Sequence, residues 1–347
     1  MNPALVQKNC NRYDSIDGMR LIMALMVAVL HVGLPLGFGN KYLADIARNA
    51  VPFFYMCSGF FIYNSNYDIA KKKIRKSIGK TTHFLFVTTI VYLILEYLLW
   101  QDSTDIIHKI CDIVSINTIF FNSTPFMPVG WYLMALIYTL LIVRVLLSFY
   151  PKPNLLWYVI IIMCLLYTLT TGVYQKILFE NSHFSLMYNC CWLSALPWVL
   201  IGMCISHMSN TVNKVIKNKY LIIAVFIGVL LCLFEHFIIK RYWGMVVGTL
   251  YLGTILSAIA LFVYLIENQL SLKKIAPLGR VYSSNIYFYH VACNYALCAL
   301  CGVKFNFPMG GVITLPFDYT ILINCFSTSL LAAIIPLFIN KTKRIWN

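Results

Sequence analysis

The sequence predicts an all-α, polytopic membrane protein, a single bundle of about ten transmembrane helices with both termini in the cytoplasm. Of its 347 residues, 60% are apolar and 11% are charged, whereas about a quarter of a typical soluble domain is charged. The apolar residues form blocks, most of them near the roughly 20 residues that cross a bilayer as a helix. Strands of a membrane barrel would alternate apolar and polar residues, so helices, which satisfy their own backbone hydrogen bonds in lipid, explain the blocks.

One membrane domain over residues 1–347 is expected, because no internal repeat or low-complexity stretch divides the chain. The first apolar block is longer than the core of a signal peptide, so we expect it to remain as the first helix. The ten predicted spans are 18–37, 46–64, 82–100, 128–149, 155–173, 186–206, 219–238, 242–266, 281–302 and 316–339. The least distinct are 46–64, which contains Asn49 and Ser58, and the boundary at 238–242, where only Ile239, Lys240 and Arg241 separate two spans.

The distribution of basic residues supports this count. With the N-terminus inside, 20 of the 27 Lys and Arg residues fall on the cytoplasmic side, including the dense run over 71–80, as the positive-inside rule requires. Topology therefore explains the net charge of +15. We expect no nucleic-acid partner, since no soluble segment carries a basic stripe with interleaved aromatic residues.

The twelve cysteines lie mostly within predicted helices. The close pairs are Cys190 with Cys191 and Cys298 with Cys301, and a zinc site would need a second pair at matching spacing in a polar setting. We interpret the cysteines as small apolar residues and predict no metal site.

The first helix carries the main candidate site residues. Asp17-Gly18-Met19-Arg20 is followed by ten residues and then His31. Eleven residues make three helical turns plus about 20°, so Arg20 and His31 share a face, with His31 roughly 16 Å deeper. Asp17 lies near the same stripe. An ionisable group at membrane depth is costly unless it is paired or hydrated, which favours a functional site; the alternative is that His31 only hydrogen-bonds a neighbouring helix.

Four segments occur in a recognisable order. They are Ile16 to Arg20 with His31, VPFFYMCSGF at Val51–Phe60, GWYL at Gly130–Leu133, and LGRVYSSNIYFYH at Leu278–His290. Together they resemble the motifs of the acyltransferase 3 family of membrane-bound O-acyltransferases, whose corresponding later segments read VPLFF-x-x-SGF, LWFL and LGRYSYGIYLFH.

This resemblance implies transfer of an acyl group, expected to be acetyl, from cytoplasmic acyl-CoA to a hydroxyl of a carbohydrate or other envelope molecule. Acyl-CoA (acetyl-CoA) would be a co-substrate, and no permanently bound cofactor is expected. The implied partners are membrane lipid and an envelope glycan or small hydroxyl acceptor, and the implied location is the bacterial cytoplasmic membrane. Catalytic roles carry over to Arg20 and His31, whose spacing is intact.

The chemistry of acyl transfer fits these residues. A base must take the hydroxyl proton and the oxyanion must be stabilised; the imidazole of His31 suits the first need, and Arg20 suits contacts with phosphate and thioester. Six further residues are candidates for the pocket, with Glu96 placed to orient a histidine and with Tyr289 and His290 about halfway through the ninth helix. The six are Asp17, Ser58, Glu96, Trp131, Tyr289 and His290.

The family's Arg-x-x-Arg element after the second helix is altered here to Lys71-Lys72-Lys73-Ile74-Arg75-Lys76. More than one register fits, so the donor phosphates are predicted to meet either Lys72 with Arg75 or Lys73 with Lys76. Lysine lacks the planar fork of arginine. The alternative is that the run only fixes topology.

A second function class stays open. The second helix and the polar N-terminus also resemble the membrane half of the vancomycin-resistance serine racemases, which is associated with serine uptake and is followed by a cytoplasmic racemase domain. The chain ends at Asn347, eight residues after the tenth predicted span, so we expect it to contain no such domain. A serine or small-molecule transport module would need no coenzyme A site, so binding of acyl-CoA distinguishes the two functions.

Overall fold

The computed structural model describes residues 13–32, 38–100, 129–178, 191–211, 218–243, 250–269, 271–300 and 328–334. These residues are almost entirely helical and contain no strand, which confirms the all-α class. The helices are α1 Asp14–Val32, α2 Phe38–Ala47, α3 Ala50–Ile62, α4 Tyr67–Trp100, α5 Gly130–Phe149, α6 Leu155–Thr171, α7 Gln175–Leu178, α8 Cys191–Ser194, α9 Leu196–Thr211, α10 Asn218–Trp243, α11 Leu252–Glu267 and α12 Ala276–Leu300. Residues 328–334 are also helical.

The surface of the bundle is that of a membrane protein. Within the described ranges, three helices are long and apolar enough to cross a bilayer, Tyr67–Leu95, Gly130–Phe149 and Asn218–Trp243, and α6, α9 and α11 are shorter apolar helices. Large apolar side chains on α4, α6 and α10 are exposed, among them Phe86, Met163 and Phe226. Lipid tails are as apolar as these side chains. The number of ten spans and the side on which the termini lie stay predictions.

Several helix ends meet at one end of the bundle. The ring of Tyr13, before α1, lies 5.2 Å from that of Phe60 in the last turn of α3. Arg280, in the first turns of α12, is 2.9 Å from Asp14, and Lys73 near the start of α4 donates to main-chain carbonyls at the end of α3. We call this the basic end, because α4 carries its run of lysines there. The opposite end is where α2 and α10 finish and α11 begins.

Glycines bring neighbouring helices into backbone contact. A Cβ atom on Gly59 of α3 would lie 2.0 Å from the carbonyl oxygen of Val199, and one on Gly202 of α9 would lie 2.2 Å from that of Met56. Small residues allow such close packing of helices in a membrane. The glycine in the Ser-Gly-Phe motif is therefore required by the contact between α3 and α9.

The predicted span 46–64 is not one helix. The chain turns at Arg48 and Asn49 between α2 and α3. Pro52 has no N–H and its ring would clash with the carbonyl of residue 48 in a continuous helix, which explains the break. The Asn49 side chain donates to the Ile46 carbonyl at 2.9 Å and accepts from Ser257 at 2.7 Å, so polar groups at the break are satisfied.

Two other predicted boundaries are wrong because hydropathy marks where a helix enters lipid and not where the helix begins. Helix α4 begins at Tyr67, where Asn66 accepts from the backbone N–H of Asp68 at 2.9 Å and so caps it; the predicted span 82–100 is only its second part. Helix α10 continues through Lys240 and Arg241 to Trp243, and the next described helix begins at Leu252, against the predicted 242–266. Basic residues suit the last turn of a helix.

Three more spans differ at their ends. The predicted span 186–206 contains a turn at Ala195 between α8 and α9, and its residues 186–190 lie outside the described ranges. Helix α12 begins at Ala276, before the predicted 281. Most of the span 316–339 lies outside the described residues, apart from the helical segment 328–334.

Candidate active site

The first and last of the named helices are joined at the basic end by an ion-pair network. The Asp17 carboxylate on α1 lies 3.0 Å from Nη1 of Arg280 on α12 and 3.6 Å from Nη1 of Arg20. Arg280 also donates to Asp14 at 2.9 Å, and its hydrogen bonds to Asp14 and Asp17 raise its pKa. Asp17 therefore links two sequence motifs and neighbours Arg20, and its place in the pocket stays a prediction.

Glycines set the spacing at this junction. A Cβ atom on Gly279 would lie 1.7 Å from the Asp17 carbonyl oxygen, and one on Gly18 would lie 2.5 Å from Cβ of Leu272. The backbones of α1 and α12 thus touch where the Asp-Gly and Leu-Gly-Arg motifs meet. This contact fixes how far Arg20 stands from the residues that α12 contributes.

A cavity of about 500 Å³ lies between α1, α3, α4, α5 and α12. Arg20 lines it, and its catalytic role stays a prediction. One part of the wall is polar, and the rest is formed by aromatic and aliphatic side chains that pack on one another, such as Phe54 and Tyr287 with ring centroids 5.1 Å apart. The polar lining residues include Arg20, Ser58, Ser77, Lys80, Thr81 and Ser284. The apolar and aromatic lining residues include Phe54, Phe84, Tyr132, Tyr287 and Phe288.

The four predicted donor-binding residues do not line this cavity. Lys72, Arg75 and Lys76 lie on the exposed surface of α4. Lys73 donates to the carbonyls of Phe61 and Tyr63 at 3.1 and 3.4 Å. The role of the four residues in donor binding stays a prediction. The hydrogen bonds of Lys73 link α4 to the end of α3.

Lys80 is the basic residue of α4 that lines the cavity. The sequence reading assigned it only to topology. A signal was available, because positions 77, 80, 81 and 84 recur at the spacing of one helical face, and all four line the cavity. The sequence analysis did not identify this face, because it assigned the donor phosphates to the dense basic run at 71–76 that precedes it.

His31 and His290 lie together, with ring centroids 5.2 Å apart. His31 is half-buried in the last turn of α1, and His290 is fully buried on α12. His290 Nδ1 is 2.9 Å from the Ile286 carbonyl, and its Nε2 has no hydrogen-bond partner among the described residues. Neither histidine is among the residues that line the cavity, although Tyr287 and Phe288, just before His290, are.

The remaining predicted pocket residues fall in different places. Ser58 lines the cavity and donates to the Phe54 carbonyl at 3.1 Å. Trp131 is half-buried against the core next to Tyr132 and does not line the cavity. Glu96 lies on α4, and its side chain lies outside the described part of the structure.

Tyr289 lies away from the cavity that Arg20 lines. It lines a separate groove of about 330 Å³ with apolar residues of α4, α12 and the segment 328–334. The structure therefore divides the predicted pair of Tyr289 and His290: the histidine lies against His31, and the tyrosine lies in this groove.

The comparisons with known proteins bear on the whole chain. The sequence profile of a family described as an acyltransferase domain, acyltransferase 3, matches residues 13–339. The chain belongs to the acyltransferase 3 family. It is also 24% identical over 309 residues to an amino-acid racemase of Enterococcus faecalis, an alignment that covers 83% of this chain and 40% of that protein. The chain thus spans about two fifths of the length of this relative. No solved structure matches the sequence.

This acyltransferase-family bundle holds a second polar cluster, at the opposite end, that the sequence reading did not predict. Asp45, which is buried, lies 2.9 Å from Nδ1 of His236 and 3.5 Å from Nε of Arg48. The same His236 nitrogen is 3.1 Å from the hydroxyl of Tyr251. Asp45 lies on α2 and His236 on α10, while Arg48 follows α2 and Tyr251 precedes α11, so no single sequence motif contains them.

Glu235 extends this cluster. One carboxylate oxygen accepts from the Tyr174 hydroxyl and the other accepts from the backbone N–H of Gly253 at 3.0 Å. A carboxylate at a helix N-terminus is favourable, so Glu235 stabilises the start of α11. No group of three or more His, Cys, Asp or Glu residues that is suited to a metal ion occurs in the described ranges.

Proposed function

We propose that this member of the acyltransferase 3 family transfers an acyl group, acetyl in the simplest case, from cytoplasmic acyl-CoA to a hydroxyl group of an envelope glycan or small molecule. The observation that carries the proposal is that Arg20 lines a cavity together with Lys80 at the basic end of the bundle. Under the positive-inside rule this end faces the cytoplasm, where acyl-CoA is available. The proposal places the protein in the cytoplasmic membrane of a bacterium.

The polar part of the cavity suits the phosphates of the donor. Arg20 and Lys80 supply positive charge, and Ser77, Thr81 and Ser284 supply hydroxyl donors. Charge-assisted hydrogen bonds to phosphate are about twice as strong as neutral ones. Asp17 holds the guanidinium of Arg20 from one side at 3.6 Å, which leaves its remaining N–H groups for the donor.

His31 is the proposed general base. The oxygen of the acceptor hydroxyl attacks the thioester carbonyl carbon while His31 takes the hydroxyl proton, the carbon–sulfur bond breaks, and the proton passes to the thiolate. The products are the acyl ester and coenzyme A, so protons and electrons balance. The acceptor must reach His31 from the part of the bundle beyond the aromatic wall of the cavity, formed by Tyr132, Tyr287 and Phe288.

Donor binding tests the first half of the proposal. Acetyl-CoA affinity, measured by calorimetry on detergent-purified protein, should fall about tenfold or more in Arg20→Ala and in Lys80→Ala, since each loses a hydrogen bond to a charged group. Arg20→Lys should recover only part of the loss, because the planar fork is missing. Lys72→Ala is the matched control, being exposed on the same helix and away from the cavity. If Lys72→Ala and Lys80→Ala lost equal acetyl-CoA affinity, the donor phosphates would bind at the basic run 71–76 and not in the cavity.

Turnover tests the second half. His31→Ala should lower turnover roughly 10²- to 10⁴-fold with donor affinity nearly intact, the usual size of a lost acid–base contribution. His31→Gln keeps hydrogen-bonding capacity at similar volume. Near-normal turnover in that variant would remove His31 from the mechanism.

A transport module for serine or another small molecule is the second candidate. The observation that supports this second function is the similarity to an amino-acid racemase over 309 residues. Such a module needs no coenzyme A site, so wild-type protein that binds no acetyl-CoA but takes up serine in vesicles would replace the acyltransferase proposal.

A further inference from the structure

His290 is one of the buried polar residues that the proposed chemistry does not yet use. It is fully buried on α12, a helix that packs extensively against α1. A buried polar atom without a hydrogen-bond partner destabilises the folded protein, and such atoms in native proteins often serve a function. The unpartnered atom here is Nε2.

The hydrogen bond at the other ring nitrogen fixes the tautomer. Nδ1 of His290 is 2.9 Å from the carbonyl oxygen of Ile286, one turn earlier in the same helix. A carbonyl only accepts, so Nδ1 carries the proton and donates it. In a neutral imidazole the other nitrogen is then an acceptor. His290 therefore presents the Nε2 lone pair to its surroundings.

His31 lies beside the ring of His290. The two rings are 5.2 Å apart between centroids with an interplanar angle of 46°, and no hydrogen bond joins them in the described structure. A hydrogen bond between the two rings would require a change in the side-chain torsions of His31, which sits in the last turn of α1. The two residues come from the first and the fourth sequence motifs, which are far apart in the chain.

From this geometry we infer that His290 is the positioning residue of His31: its Nε2 accepts a hydrogen bond from the His31 N–H that faces it, so that the other nitrogen of His31 points toward the acceptor hydroxyl. This inference rests on the proposed function. When His31 takes the hydroxyl proton, the imidazolium keeps its bond to His290 Nε2, and the proton then leaves to the thiolate of coenzyme A. His290 stays neutral throughout and exchanges no proton. Its part resembles that of the residue that orients the histidine in a hydrolase triad, with a neutral acceptor in place of a carboxylate.

The test uses the full-length chain in detergent and follows the release of coenzyme A thiol from acetyl-CoA, with water as acceptor where no other is known. His290→Phe keeps the ring volume and removes the acceptor, so kcat should fall about 10- to 100-fold, at the lower end of an acid–base contribution, with KM for acetyl-CoA unchanged. His290→Gln keeps an acceptor near the Nε2 position and should recover much of the loss. In a His31→Ala background, His290→Phe should cause no further loss.

A purely structural role gives another pattern. His290→Phe would then lower activity by the same factor with and without His31, in step with the melting temperature of the protein, and this additivity would overturn the inference. Wild-type turnover in His290→Phe would overturn it as well.

A second measurement does not depend on activity. Nitrogen-15 spectra of histidine-labelled protein should show His290 protonated at Nδ1, and the signals of His31 should move in His290→Phe because a hydrogen-bond partner is lost. Unchanged His31 signals would overturn the inference. Wild-type protein that neither binds acetyl-CoA nor releases thiol would instead refute the proposed function, and the spectra alone would then decide whether the two histidines form a pair.

Discussion

The contact between α1 and α12 gives the sharpest prediction about how packing supports the site. In Gly279→Ala, the added Cβ would lie 1.7 Å from the Asp17 carbonyl oxygen, so the two helices must separate. Overpacking of this kind costs about 1–3 kcal/mol. Alanine regains about 1 kcal/mol of helix propensity over glycine, so we expect a net loss of up to about 2 kcal/mol.

Gly79 offers a matched control. It lies within α4, and among the described residues no atom outside its own stretch of the helix approaches within 4 Å of the position that its Cβ would occupy. Gly79→Ala gains the same helix propensity without overpacking. The free energy of unfolding of this variant should therefore exceed that of the wild type by up to about 1 kcal/mol. The two substitutions are chemically identical and differ only in their surroundings.

The assay is thermal unfolding in detergent with a thiol-reactive dye, because unfolding exposes cysteines that the folded protein protects. Gly279→Ala should melt several degrees below wild type, and Gly79→Ala at or above it. Equal melting temperatures for the two variants would refute the close contact between α1 and α12. The buried cysteines that report unfolding are Cys57, Cys164, Cys204, Cys232 and Cys293.

The same variant should affect the site. Separation of α12 from α1 moves Ser284 away from Arg20 across the cavity, so acetyl-CoA affinity in Gly279→Ala should fall even at temperatures where the protein is folded. Unchanged affinity in the destabilised variant would show that the junction serves stability alone.

Three other predictions concern the bundle as a whole. Asp45→Ala should destabilise the protein by about 3 kcal/mol, since it leaves buried polar partners uncompensated, and Asp45→Asn should cost less in the same melting assay. Tyr92→Phe should cost about 1 kcal/mol, because the Tyr92 hydroxyl donates to the Phe288 carbonyl at 2.9 Å; an unchanged melting temperature would contradict this. In a cysteine-free background, Lys72→Cys should be labelled only from the cytoplasm and Lys109→Cys only from outside, and labelling of both from one side would break the predicted topology between them.

The helical class followed from the sequence because its cause is compositional. A chain so poor in charge can satisfy its backbone in lipid only within helices or a closed barrel, and its continuous apolar blocks lack the alternation of barrel strands. Helix ends did not follow, because local contacts decide them: the Asn66 cap starts α4 well before the apolar block, and Pro52 breaks the second span. Hydropathy responds to neither feature.

The candidate site was predictable in part. The spacing of Arg20 and His31 was enough to single them out, and Arg20 lines the cavity. Lys80 was recoverable from helical periodicity once α4 was known to run through the basic run. The cluster of Asp45, His236 and Tyr251 was not recoverable, since its contacts join three helices that no motif connects.

The motifs of this family contain residues that pack helices together and residues that line the cavity, and the two kinds lie side by side on the same helices. Gly59 and Gly279 set the distances of α3 and α12 from their neighbours, and the same helices contribute Ser58 and Ser284 to the cavity. Asp17 forms ion pairs with both Arg280 and Arg20. The residue that joins α1 to α12 therefore also orients the guanidinium of Arg20. A substitution at a motif glycine should therefore act on donor binding through geometry, whereas a substitution at Arg20 should act on it through charge. Binding measured as a function of salt separates the two, because loss of a charged contact reduces the salt dependence of donor affinity and a packing defect leaves that dependence unchanged.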